Sequence, residues 1–136
     1  MAKTRGWGFD PKLAAKNKLT PQIKDSVTTF FNPLLEEYKE QINNKVPNKE
    51  YAYAIDVYTK WSQSYFYFGT ILKMEFENRI ADYGDDKFAR LEFVDDNLFN
   101  IAYKRHTGAW FQLGSNISLE VALEYLRNNP NLLPMF

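Results

Sequence analysis

The stretch that decides the fold is YAYAIDVYTKWSQSYFYFGTILKMEFENRIADYGDDKFARLEFVDDNLFNIAYKRHTGAWFQL, residues 51–113. It contains 16 of the 23 aromatic residues in the 136-residue chain, and apolar and polar side chains alternate along most of it. Alternation with a period of two is typical of strands that bury one face. The stretch therefore predicts a series of strands joined by short turns, with neighbours antiparallel.

Turn residues divide this stretch into five predicted strands. The first two are a hairpin, residues 51–61 and 65–76, and a polar loop at 77–86 follows them. The other three are residues 87–94, 98–105 and 109–113. The predicted apolar face of the first strand consists of Tyr51, Tyr53, Ile55, Val57 and Trp61.

Helical patterns lie on both sides of the strands. Thr20 suits an N-cap and Pro21 suits the first helical position, and apolar residues then recur at steps of three and four from residue 23 to residue 42. Pro33 lies inside this pattern, which predicts one kinked helix. A shorter helix is predicted after the cap residue Ser118, and it ends before Pro130.

The predicted fold class is α+β: a long, kinked N-terminal helix on a five-stranded antiparallel meander, then a short C-terminal helix. Residues 20–136 are expected to form this single domain. The order of elements resembles that of cystatin-like folds, in which a curved sheet wraps one long helix. The Gln-x-Val-x-Gly hairpin of the inhibitory cystatins does not occur here, so the resemblance does not imply inhibition of cysteine proteases.

Residues 1–19 are predicted to be a basic arm without a fold of its own. Six basic residues and one acid, Asp10, occur in residues 1–24. Trp7 and Phe9 are large aromatics in this otherwise polar segment, so we expect the arm to dock, either on the body of the same chain or on a partner. No apolar stretch follows the first basic residues, and cysteine is absent, so we expect a soluble cytoplasmic protein.

The sequence contains no motif that names a reaction or a cofactor. His106 is the only histidine and lies in a predicted turn, where an exposed role is more common than acid–base catalysis. One histidine and no cysteine leave few ligand sets for zinc, and the acids at 82, 85 and 86 do not match a calcium-binding loop. Glycine-rich phosphate loops are absent. We therefore predict no catalytic residue, no metal and no cofactor.

The polar face of the predicted sheet is the best candidate for a binding surface, because aromatic and basic side chains alternate there. The fourth strand alternates ambiguously: either Asn100, Lys104 and His106 or Tyr103 and Arg105 belong to this face. The predicted binding residues are Tyr58, Tyr65, Tyr67, Arg90, Lys104, Arg105, His106 and Trp110.

A surface of this composition favours a non-catalytic binding protein whose partner is another protein or a second copy of itself. One alternative is a small-molecule or enzymatic pocket between the long helix and the concave sheet that involves His106. The other is single-stranded nucleic acid, which binds to stacked aromatics and cations. A formal net charge of zero ranks nucleic acid below a protein partner, and no membrane partner is expected.

Overall fold

The computed structural model describes residues 19–134 and 136. The elements are α1 (Pro21–Asn43), β1 (Tyr53–Ser62), β2 (Tyr65–Lys73), β3 (Tyr83–Asp95), β4 (Leu98–Lys104), β5 (Trp110–Ile117), α2 (Leu119–Asn128) and a 3₁₀ turn (Pro130–Leu132). The predicted α+β fold is confirmed. The predicted arm, with Trp7 and Phe9, lies outside the described residues apart from Leu19.

The five strands form one antiparallel sheet in the order β1-β2-β3-β4-β5, so each strand pairs with its neighbours in the chain. The β1–β2 and β3–β4 turns each contain a residue with positive φ, Gln63 and Asn97. Asparagine adopts this left-handed conformation more readily than most residues, which suits Asn97 to a tight turn. The resemblance to cystatin-like folds stays one of element order.

Helix α1 begins as the sequence predicts. The side chain of Thr20 accepts a hydrogen bond from the backbone N–H of Ile23 (3.2 Å), and Pro21 opens the helix. The helix continues through Pro33, which faces solvent. Its buried residues are Val27, Phe31, Leu34 and Tyr38.

The core lies between one face of the sheet and the two helices. The Phe31 ring of α1 packs against Phe66 and Phe68 of β2, with ring centroids 5.9 and 5.1 Å apart. Ala122 and Leu126 of α2 belong to the same buried cluster. Each fully buried large side chain contributes about 1.5–3 kcal/mol. Both described helices pack on the core side of the sheet.

The predicted apolar face of β1 is wrong near its start. A bulge between Ala54 and Asp56 shifts the register against β2. Ala54 and Val57 therefore point into the core, and Ile55 is 40% exposed. A bulge inserts one residue and reverses the side to which the following residues point, so simple alternation does not predict it.

Three strand boundaries also differ from the prediction. The predicted loop at 77–86 is too long, because β3 begins at Tyr83 and its Asp85 and Asp86 pair with Ile71 and Thr70 of β2. Strand β2 ends at Lys73 rather than at residue 76. Strand β5 continues beyond its predicted end at residue 113, through residues 114–117. Pairing with a neighbouring strand imposes extended structure on residues of low strand propensity.

Candidate functional site

The sheet register places four candidate side chains side by side on the face that lacks a helix. Tyr67 of β2 lies between Lys60 of β1 and Arg90 of β3. Arg90 is opposite Ala102 of β4, and Ala102 is opposite Gln112 of β5. We call this surface, which carries Tyr65, Tyr67, Arg90 and Trp110, the open face.

Arg90 is the centre of the open face. Its guanidinium carbon lies 4.3 Å from the centre of the Tyr65 ring and 4.5 Å from that of the Trp110 ring. Each such contact stabilises the arrangement by about 0.5–1 kcal/mol at a partly exposed site. No carboxylate within residues 19–134 and 136 forms an ion pair with Arg90.

The three aromatic rings of the open face also contact one another. Ring centroids are 6.0 Å apart for Tyr65 and Tyr67, and 5.8 Å apart for Tyr67 and Trp110. Arg90 and Trp110 meet across β4, where the intervening side chain on this face is the small Ala102. We call these four side chains, Tyr65, Tyr67, Arg90 and Trp110, the aromatic–arginine cluster. All four are half-buried, so the cluster is held in place and still accessible.

Three lysines surround a depression of about 300 Å³ beside the cluster, with Tyr67 and Trp110 in its wall. The Lys104 ammonium is 2.9 Å from a carboxylate oxygen of Asp86, and Lys87 is 3.3 Å from Asp85. Lys60 has no ion pair among the described residues. Lys60 and Arg90 are therefore the two cations around the depression and the cluster that have no ion pair in the described part of the chain.

Tyr58 lies at the margin of the open face and has a packing role. Its ring covers Gly69, where an added Cβ would be 2.4 Å from the ring carbon Cζ. Its hydroxyl donates a hydrogen bond to Asp85. Burial, and then this hydrogen bond, raise the pKa of Tyr58 above its ordinary value. The hydrogen bond from this phenol holds Asp85 in place near the start of β3.

The structure resolves the ambiguity of the fourth strand. Asn100 and Lys104 point to the open face, whereas Tyr103 packs against the core. Asn100 donates a hydrogen bond to Glu92 (3.1 Å) and accepts one from the backbone N–H of Asn116 (3.1 Å). Glu92 therefore has a partner on the open face.

Arg105 and His106 lie away from the other predicted binding residues. Arg105 follows the end of β4, and its guanidinium carbon is 5.1 Å from the centre of the Phe111 ring. His106 is exposed in the turn that the Arg105–Ala109 backbone hydrogen bond closes. The structure thus brings Tyr65, Tyr67, Arg90, Lys104 and Trp110 together, with Tyr58 at the margin, and places the other two at the end of the sheet.

Lys87 is the site residue that sequence reasoning missed. Alternation from the buried Ala89 would turn Lys87 toward the core. The bulge opposite Phe68 and Gly69 inserts Phe88 as an additional core residue and turns Lys87 outward. The signal in the sequence was a break in the alternation, because two apolar residues, Phe88 and Ala89, are adjacent.

No group of three His, Asp or Glu side chains in the described part of the chain is placed to hold a metal ion. The space between α1 and the sheet is filled by rings such as Phe31, Phe66 and Phe68, all nearly inaccessible to solvent. His106 is therefore not on the wall of an enclosed pocket between helix and sheet.

Fold and surface together define the class: an α+β domain whose one-sided antiparallel sheet presents aromatics and cations. The chain belongs to the family described as "Domain of unknown function (DUF3024)", whose model matches residues 28–133. Searches of curated proteins and of solved structures found no match. No helix in the described part is long and apolar enough to cross a membrane. The whole aromatic–arginine cluster lies inside the range that the family model matches.

Proposed function

We propose that this protein acts by binding, without a reaction of its own, and that the open face is its contact surface for a protein partner or a second copy of the chain. The observation that carries this proposal is Arg90, which lies over Tyr65 and Trp110 with no carboxylate of the described residues paired to it.

The energetics of the cluster support a protein partner. Tyrosine, tryptophan and arginine are the residues most enriched among those that dominate binding energy at interfaces. Contacts within the cluster already restrict the Arg90 side chain, so binding loses less conformational entropy than it would for a free arginine.

Self-association is tested by sedimentation velocity over a concentration series. The test compares the unmodified protein with Trp110→Ala and with the control Phe111→Ala, an adjacent aromatic that is 45% exposed on the other side of β5. We expect the unmodified protein and the control to associate, and Trp110→Ala to shift toward monomer by about tenfold in dissociation constant.

A different protein partner is tested by a photoreactive amino acid placed at position 110 or, as the control, at position 111. We expect a discrete protein adduct in the cells of origin from position 110 and not from position 111. A chain that stays monomeric at all concentrations and gives no adduct specific to position 110 would refute the proposal.

Single-stranded nucleic acid is the second candidate, and the observation that favours it is the continuous series of rings from Tyr65 through Tyr67 to Trp110. Asp85 and Asp86 neutralise two of the nearby lysines, which ranks this candidate lower. Binding of a labelled thymidine oligonucleotide that weakens steeply with added salt and is lost in Trp110→Ala would establish it in place of a protein partner.

We also infer a cytoplasmic location. The chain has no cysteine, which fits a reducing compartment where disulfides do not contribute to stability.

A further inference from the structure

A notch forms at one end of the sheet because two adjacent strands differ in length. Strand β3 has thirteen residues and β4 has seven. Their pairing begins at Ala89 and Tyr103, whereas β3 residues before Phe88 pair only with β2. The turn that follows β4 and the segment after α2 form the other walls. The resulting cavity measures about 670 Å³.

Positive charge exceeds negative charge in this notch. Lys87, Lys104 and Arg105 line it together with His106, and Asp86 is the acid among its lining residues. Asp86 pairs with Lys104 at 2.9 Å. Arg105 lies over the Phe111 ring and forms no ion pair within the described part of the chain. Its guanidinium N–H groups, like the His106 imidazole in the exposed turn, remain free for an anionic acceptor.

The notch also has an apolar side. Phe88 and Tyr103 contribute rings from β3 and β4, and Leu133 contributes an aliphatic side chain that is 50% exposed. A volume of this size lies within the range of small-molecule sites, about 300–1,000 Å³. Cations beside apolar side chains suit a ligand that carries an anionic group on an apolar body.

We propose that the notch binds a small organic anion, whose carboxylate or phosphate contacts Arg105 and His106 and whose apolar part lies against Phe88, Tyr103 and Leu133. The notch shares Lys87 and Lys104 with the depression on the open face but contains no residue of the aromatic–arginine cluster, so Arg105→Gln and Trp110→Ala test the two sites separately. No covalent step takes place in this proposal.

The test uses three probes: phenyl phosphate, benzoate and inorganic phosphate. Isothermal titration calorimetry measures affinity, and amide chemical-shift changes locate the site. We expect saturable millimolar or tighter binding of phenyl phosphate or benzoate, with inorganic phosphate weaker because it lacks an apolar part. The stronger of the two aromatic probes identifies the anionic group that the notch prefers. Shifts are expected at Phe88, Gly108 and Leu133.

Variants separate the notch from unspecific attraction to a charged surface. Arg105→Gln and His106→Gln each remove one contact and are expected to weaken the stronger probe, by about tenfold for the arginine. Lys45→Gln removes one positive charge at an exposed position after α1 and is expected to bind as the unmodified protein does. The proposal is overturned if none of the three probes binds saturably, or if the chemical-shift changes are confined to other regions. It is also overturned if Arg105→Gln and the Lys45→Gln control bind the stronger probe with equal affinity.

Discussion

At the scale of single residues, Tyr38 places a polar atom in the core at a cost. Its side chain is 4% exposed, between the rings of Phe88 and Phe136. No hydrogen-bond partner for its hydroxyl exists among the described residues. Burial first, and then the negative charge of Glu37, raise the pKa of Tyr38 to about 12 against the opposing effect of Arg127. A buried hydroxyl without a hydrogen bond costs about 1–3 kcal/mol.

Tyr38→Phe is therefore expected to increase the free energy of unfolding by about 1 kcal/mol at pH 7, because it removes the hydroxyl and keeps the ring contacts. Urea unfolding measures the change. Tyr51→Phe, at an exposed position, controls for the loss of a phenol. A lower stability of Tyr38→Phe would mean that the hydroxyl has a hydrogen-bond partner.

The same substitution changes how stability depends on alkaline pH. The folded state holds the Tyr38 proton until about pH 12, whereas an unfolded tyrosine loses it near the ordinary pKa, about 10. Only the unfolded state loses this proton between pH 10 and pH 12, so the free energy of unfolding is unaffected below pH 10 and falls as the pH rises through this range. The unmodified protein should therefore lose more stability than Tyr38→Phe between pH 9 and pH 11. Equal losses would contradict the assigned pKa.

At the scale of elements, Pro33 weakens the helix that covers the core. Proline has no N–H, so the Thr29 carbonyl lacks its usual helical partner. Pro33 faces solvent, whereas Phe31 and Leu34 beside it are buried. The backbone defect therefore lies on the outer side of α1, and the apolar stripe continues past it in phase.

Pro33→Ala is expected to raise the free energy of unfolding by about 1–2 kcal/mol, since a restored helical hydrogen bond outweighs the greater freedom of the unfolded chain. Urea unfolding measures the gain. Asn32→Ala is the matched control, because it also places alanine at an exposed position of α1 and keeps every backbone N–H. A Pro33→Ala variant less stable than the unmodified protein would show that the kink predicted at Pro33 is needed to seat Phe31 on the sheet.

The alternation of apolar and polar residues predicts most of the fold, but it does not predict side-chain orientation at the β-bulges. Phe66, Phe68 and Leu91 follow the simple alternation of apolar and polar residues, and all three are buried. Ile55 and Lys87 do not, because Ile55 lies in a bulge and Lys87 lies next to the bulge at Phe88. Bulges arise from pairing between strands, and one strand's sequence does not contain that information.

The same limit applies to the candidate sites. The positions of Tyr65, Tyr67 and Arg90 on the open face follow from local alternation, so these residues were predictable. The notch was not, because it requires the end of β4 to meet the segment after α2, nearly thirty residues later in the sequence. Contacts at this separation depend on the length mismatch between β3 and β4.

At the scale of the whole molecule, the C-terminal segment closes one end of the core. Leu132 is fully buried, and Phe136 packs on Tyr38 of α1. The Arg127–Glu37 ion pair (2.5 Å) also joins α2 to α1, but both side chains are nearly half exposed. An exposed pair contributes at most about 1 kcal/mol, and a buried leucine contributes more. Apolar burial therefore dominates the attachment of this segment.

Leu132→Ala is expected to lower the free energy of unfolding by about 2–5 kcal/mol, because it removes a fully buried side chain and leaves a cavity in the shared core. Leu133→Ala, at the adjacent half-exposed position, is expected to change stability by less than about 1 kcal/mol and to weaken phenyl phosphate binding in the notch. Urea unfolding and calorimetry measure the two effects separately. Equal destabilisation by both substitutions would contradict the assignment of Leu132 to the core and Leu133 to the notch, because both side chains would then contribute to the core.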